Sequence, residues 1–101
     1  MHQASAYLET VNGPKYLAQL CKHFAHKIEV VHSEGHGVCR FPFGTGILDA
    51  DESGLRMVAE AAGADELRRT QEVIESHLMR FAFREPQQAL QWHGADQAAP
   101  A

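Results

Sequence analysis

Basic residues are scarce in this chain. Nine Lys and Arg stand against thirteen Asp and Glu in 101 residues, a formal net charge of −4 with histidine neutral. A general nucleic-acid binder needs cations to neutralise phosphates, and so does a protein that docks on an anionic membrane. The deficit argues against both partners. Long apolar runs are missing as well: no stretch reaches the length of a signal peptide or a membrane span, and the N-terminus is polar. Cysteine is limited to Cys21 and Cys39, which form neither a CxxC pair nor a zinc-ligand quartet. The expectation is a cytoplasmic chain with reduced thiols. A Cys21–Cys39 disulfide is conceivable geometrically, but that compartment opposes it. No repeat, linker or second domain is visible, and the length suits one domain. Such a chain buries roughly 60–70% of its unfolded surface.

What the chain does have is histidine, seven in all. Protonating them at mildly acidic pH would turn the net charge positive. Two stretches stand out, Leu20 to Lys27 and Ile74 to Glu85, each setting a histidine beside an aromatic and basic residues. The hydrophobic pattern reads as strand, helix, four strands, helix, strand. A weakly alternating strand over Ser5–Thr10 precedes Asn12-Gly13-Pro14, where Asn12 can cap and Pro14 suits a first helical turn. Leu17, Leu20, Cys21 and Phe24 then share one face, with Lys22 and Lys27 late in that helix. Ile28–His32 and Val38–Phe43 should form a hairpin around a turn from Ser33 to Gly37. Gly44 and Gly46 suggest a bend or bulge before Ile47, and Asp49 to Gly54 is a second turn. Leu55–Ala61 alternates as a strand. Asp65 is a plausible cap for a second helix whose face carries Leu67, Ile74, Leu78 and Phe81. Ala89–His93, holding Trp92, reads as a short last strand. The domain is expected to span 1–93, with a disordered tail over 94–101.

Phe24, Phe41-Pro42-Phe43-Gly44, His77 to Phe81, Arg84 and Leu90 to Trp92 occur in an order and spacing that resembles the small bacterial family catalogued as domain of unknown function 2218. The resemblance runs over nearly the whole chain. It implies an α+β domain with one mainly antiparallel sheet and two helices on one face, in the order β-α-β-β-β-β-α-β, similar to TATA-binding-protein repeats and to the C-terminal domain of phosphohexomutases. It also implies an association with flavoproteins that reduce ferric siderophores, hence a link to iron. It carries over no catalytic residue and no cofactor, and fold similarity to a mutase domain carries no function.

At 100° per residue, His23 lies at the edge of the apolar stripe of the first helix, near Tyr16 and Lys27. His77 holds the same station on the second helix, flanked by Val73, Arg80, Phe81 and Arg84. With both helices on one sheet face, the two histidines could meet in the groove between them, though their spacing along the chain leaves the approach open. Three roles suit such a pair. Packing with one hydrogen bond each is the commonest fate of a histidine at the edge of a stripe. An anion or chelate site would use His23, Lys27, His77, Arg80 and Arg84. A transition-metal site would need His23, His77 and a third ligand such as Cys21 or a carboxylate. A small enzyme using His23 or His77 as acid and base is a further alternative.

Other constellations are weaker. His23 and His26 are three apart, looser than the four-residue spacing of a metal-binding helix. His32 and His36 flank a turn and can approach across the hairpin. Ser5, Ser33, Ser53 and Ser76 sit in no nucleophile elbow. The glycine pairs 35/37 and 44/46 lack the length and lysine of a phosphate loop. Asp49, Asp51 and Glu52 crowd one turn without a calcium-loop pattern. Glu72 and Glu75 read as a solvated flank pairing with Arg68, Arg69 or Arg80. Pro42 belongs on an edge or at a bulge, and Phe41 and Phe43 on a common face in a core or covering role. Finally, Val30, Val38, Arg40, Leu48, Met57 and Val58 cannot all share one face by alternation. Some apolar residues should lie on the uncovered side, where a homodimer or a larger partner would cover them.

Overall fold

The alternating stretch Gly54–Ala61 decides the layering. In the computed structural model, which describes residues 2–83 and 90–94, Leu55, Met57, Ala59 and Ala61 are buried and Arg56 is exposed. Neighbouring strand residues point to opposite faces, so one side of the sheet is dry and the other wet. The elements are β1 (His2–Glu9), α1 (Gly13–Phe24), β2 (Glu29–Ser33), β3 (His36–Phe41), β4 (Gly44–Ala50), β5 (Gly54–Ala61), α2 (Ala64–Phe81) and β6 (His93–Gly94). All strand pairs are antiparallel, in the order β2-β3-β4-β5-β1-β6. Both helices cover the dry face, giving the expected α+β architecture. No helix among the described residues is long and apolar enough to cross a membrane.

The core is the seam between sheet and helices. Leu17, Leu20 and Cys21 of α1 and Ile74 and Leu78 of α2 are fully buried against Cys39, Leu48, Leu55 and Met57. The two thiols are free and hydrogen-bonded to each other beneath α1. That hydrogen bond, and then burial, push the Cys39 thiol far above its ordinary range.

Several local readings change. Gly44 and Gly46 make no bulge: β4 is regular, and these glycines let α2 approach. A Cβ on Gly44 would strike Thr70 Oγ1, and one on Gly46 would come within 2.9 Å of Ile74 Cδ1. The β2–β3 turn is tighter than expected, because Gly35 takes a positive φ of 74° and His36 already pairs with Ser33. His32 and His36 therefore fall on opposite faces. Pro42 sits in the turn joining β3 to β4, where no ladder N–H is required. α1 closes at Phe24, so Lys27 lies beyond the helix and donates its N–H to Phe24 O at 2.9 Å. Asn12 is the N-cap of α1, but its side chain makes no capping bond. The N-cap of α2 is Gly63. Asp65 and Glu66 occupy the first turn, where negative charge suits the helix dipole. β1 starts at His2. Gly94, assigned to the tail, pairs with Ala4, while Ala89 and residues 95–101 lie outside the described residues.

Glu75 is not on a solvated flank. It is half-buried and accepts hydrogen bonds from Leu90 N at 3.1 Å and Trp92 Nε1 at 3.0 Å. The carboxylate thereby clasps the chain before β6 onto α2. Hydrogen bonds to charged groups contribute about 1.5–3 kcal/mol each. Glu75→Ala is expected to lower stability by about 2–3 kcal/mol and to shift the emission of the single tryptophan to the red in the native state. An unchanged spectrum and melting temperature would show that apolar contacts alone hold Trp92.

Candidate functional site

The seam between α1 and α2 gathers most of the chemistry. His23 is the next-to-last residue of α1, and His77 lies in the C-terminal part of α2. Their ring centroids are 4.7 Å apart with planes tilted by 41°. The structure thus brings together two histidines whose approach the sequence left open. His77 Nδ1 lies 2.7 Å from the carbonyl oxygen of Val73, one turn back. A carbonyl only accepts, so Nδ1 carries a hydrogen and donates it to Val73 O.

Aromatic rings continue the seam. Phe24 meets His77 edge-on at 5.1 Å and Phe41 at 4.9 Å. Phe81 lies 6.1 Å from His23. Phe41 stacks on Phe43 at 5.5 Å and 8°, so the two do share a face, and the Arg69 guanidinium covers Phe43 at 4.7 Å. Phe24 is buried while His23, His77, Phe41, Phe43 and Phe81 are half-buried. The row seals the core along one edge and leaves ring edges in reach of solvent.

Among the described residues, the charges that bear on His23 are positive. Burial first, then the nearby charges of His77, Lys27, Arg80 and His26, hold its pKa below the ordinary imidazole value. Lys27 and Arg80 thus stand close enough to His23 to oppose its protonation. Among the described residues, no carboxylate hydrogen-bonds to either ring. Arg84 lies outside the described residues. Cys21 faces the sheet and Cys39, away from the histidines, so it cannot complete a metal site with them. Among the described residues no group of three or more His, Cys, Asp or Glu could hold a metal ion. The two histidines are half a ligand set.

The profile of a family described as an uncharacterized protein conserved in bacteria, DUF2218, matches residues 5–93. The chain belongs to this family. The DUF2218 match takes in both helices, the ring row and Trp92. An NMR structure of PA4090 from Pseudomonas aeruginosa is similar over 100% of both chains, with a TM-score of 0.77 and 27% identity. No curated protein matches the sequence. Two features of this DUF2218 domain carried no signal in the sequence: the Arg69–Phe43 contact and the Glu75 clasp. Both join residues distant along the chain, and neither side chain breaks the helical pattern of α2.

Proposed function

We propose that this DUF2218 domain is a binding module without catalysis, and that the seam between α1 and α2 takes a planar anion. The observation that supports it best is the His23–His77 pair, 4.7 Å apart, with Lys27 and Arg80 beside it. Clustered cations repel one another, and an anion placed among them relieves that repulsion. Ring edges carry positive potential and suit the rim of a flat, electron-rich ligand. Ferric chelates with aromatic oxygen ligands have both properties. The association with ferric-siderophore-reducing flavoproteins that the family resemblance implies makes them the first class to test, and such a reductase is the partner we propose.

The lowered pKa gives the sign of the pH effect. The folded state binds a proton at His23 less readily than the unfolded chain does. His23 therefore contributes stability that is present above the ordinary imidazole range and is lost as pH falls below it. A bound anion favours the protonated ring, so affinity rises as pH falls from neutral. Calorimetry with ferric catecholate and hydroxamate chelates and with inorganic phosphate tests this. The expected result is tighter binding at pH about 6 than at neutrality, weakened about tenfold by Lys27→Glu. Lys27 is exposed, so that variant should melt like the wild type. Absence of binding at millimolar concentration of all these probes, or binding indifferent to both Lys27→Glu and His77→Gln, would sink the proposal.

A second reading concerns the wet face of the sheet. Val31, Val38, Ile47 and Val58 stand in register across β2, β3, β4 and β5. Val30, Leu48 and Met57 point to the helices, whereas Val38, Arg40 and Val58 point away. A row of β-branched side chains in water is what a self-associating surface presents.

A further inference from the structure

We infer that the open sheet face pairs with the same face of a second copy about a two-fold axis along the Val31–Val58 row, setting Glu60 of each copy against Arg56 of the other. The inference rests on the self-association reading and adds its geometry. Val31 is 53% exposed, and Val38, Ile47 and Val58 are half-buried. On one side of this row run Arg40, Thr45 and Glu60, in register. On the other run His36, Asp49 and Arg56, also in register.

Two sheets facing each other pack with strands nearly aligned. A two-fold axis along the row lays each apolar residue on its own counterpart and exchanges the flanking rows. Glu60 then meets Arg56, and Thr45 meets Asp49. Arg40 meets His36, whose Nδ1 is already 2.6 Å from Asp49 Oδ1. No carboxylate faces a carboxylate. An axis along the strands through β4 would also set Arg40 against Glu60 and His36 against an arginine, Arg56, but it would lay Asp49 on Asp49. Like charges brought together at an interface are costly, so charge selects the first arrangement.

The same row explains why a second copy is the occupant. The flanking rows carry opposite charges at mirrored positions on a single strand, β5, and a two-fold partner presents them in exchanged order. Size sets the strength. Four strands about 4.8 Å apart and three rows about 7 Å apart span roughly 400 Å² on each copy. That is less than the ~800 Å² per partner of a standard interface. Association should therefore follow concentration rather than be obligate.

Sedimentation equilibrium from micromolar to millimolar concentration is the test. The wild type should pass from monomer towards dimer mass. Ile47→Asp, on the axis, should remain monomeric. Arg56→Glu alone places Glu against Glu60, and Glu60→Arg alone places Arg against Arg56; each should weaken association by at least about tenfold. A mixture of these two variants satisfies both pairs in a heterodimer and should recover the wild-type mass. Positions 56 and 60 are about 13 Å apart along one strand, so recovery cannot arise within one chain. Circular dichroism melting checks that the variants fold; were Glu60→Arg to melt early, Arg56→Glu still decides against the wild type. A wild type monomeric at every concentration overturns this inference and the self-association reading together. A wild type that dimerises while Arg56→Glu dimerises equally well, or a mixture of folded variants that recovers nothing, overturns this arrangement alone.

Discussion

Gly44→Val is expected to prevent the domain from folding. The Cβ of any residue at this position would strike Thr70 Oγ1, lie 2.7 Å from the carbonyl oxygen of Glu60 and 3.3 Å from Ala61 Cβ. Two of these neighbours belong to β5, which is held by β4 on one side and β1 on the other. A strand paired on both edges cannot retreat without breaking its ladders. Thr70 is equally fixed: it is fully buried, and its hydroxyl donates to Glu66 O at 2.8 Å. Overpacking in a closed site costs about 1–3 kcal/mol for small additions and more for branched ones. Gly44→Ala should therefore cost about 2–3 kcal/mol, and Gly44→Val should yield insoluble protein. Adding Thr70→Ala to Gly44→Ala removes one of the collisions. A double-mutant cycle should then show an interaction of about 1 kcal/mol or more in favour of the pair. Strict additivity in urea unfolding would mean that glycine at 44 acts through backbone freedom and not through the approach of α2.

Leu78→Ala is expected to lower stability by about 3–5 kcal/mol, the upper part of the range for leucine in a closed core. Leu78 is completely buried among the core residues. The replacement leaves helix propensity intact, because alanine is the best helix former, so the loss measures packing. A domain of this size typically has 5–15 kcal/mol in total, and each kcal/mol shifts its melting temperature by about 4–8 °C. The urea midpoint should fall with an unchanged slope. Leu78→Met, nearly equal in volume, should cost less than about 1.5 kcal/mol. A Leu78→Ala loss under 1 kcal/mol, on the order of a surface change, would show that α2 slides to close the space.

Side-chain periodicity made the elements legible. The alternation through Leu55, Met57 and Ala59 marks β5 without ambiguity, and Leu17, Leu20, Cys21 and Phe24 mark the buried face of α1. These patterns are local, since a strand or helix shows its dry face in its own sequence. Glycines 44 and 46 are not decided by sequence, because a strand glycine serves equally well in a bulge or under a close neighbour. The role of Glu75 is not legible in sequence, because its flank position is shared by solvated glutamates and its partners lie 15 and 17 residues away. At the candidate site, His23 and His77 could be placed at stripe edges from spacing alone. Only the hydrogen bond of its thiol to Cys39 separates Cys21 from them.

Composition and periodicity by themselves determined the class of this domain. They specified an acidic α+β chain with two amphipathic helices and alternating strands. Alternation also set apolar residues on both faces of the sheet. Tertiary structure decided which surfaces those faces meet. The 4.7 Å approach of His23 to His77 needs both helices laid on one sheet at one spacing, which glycines 44 and 46 permit. The in-register row from Val31 to Val58 needs two hairpin turns and the β4–β5 connection to hold their phase, since a one-residue slip sends every side chain to the other face. A sequence states the face of each element. Only packing brings faces together, because contact depends on the turn between elements and the room beneath them.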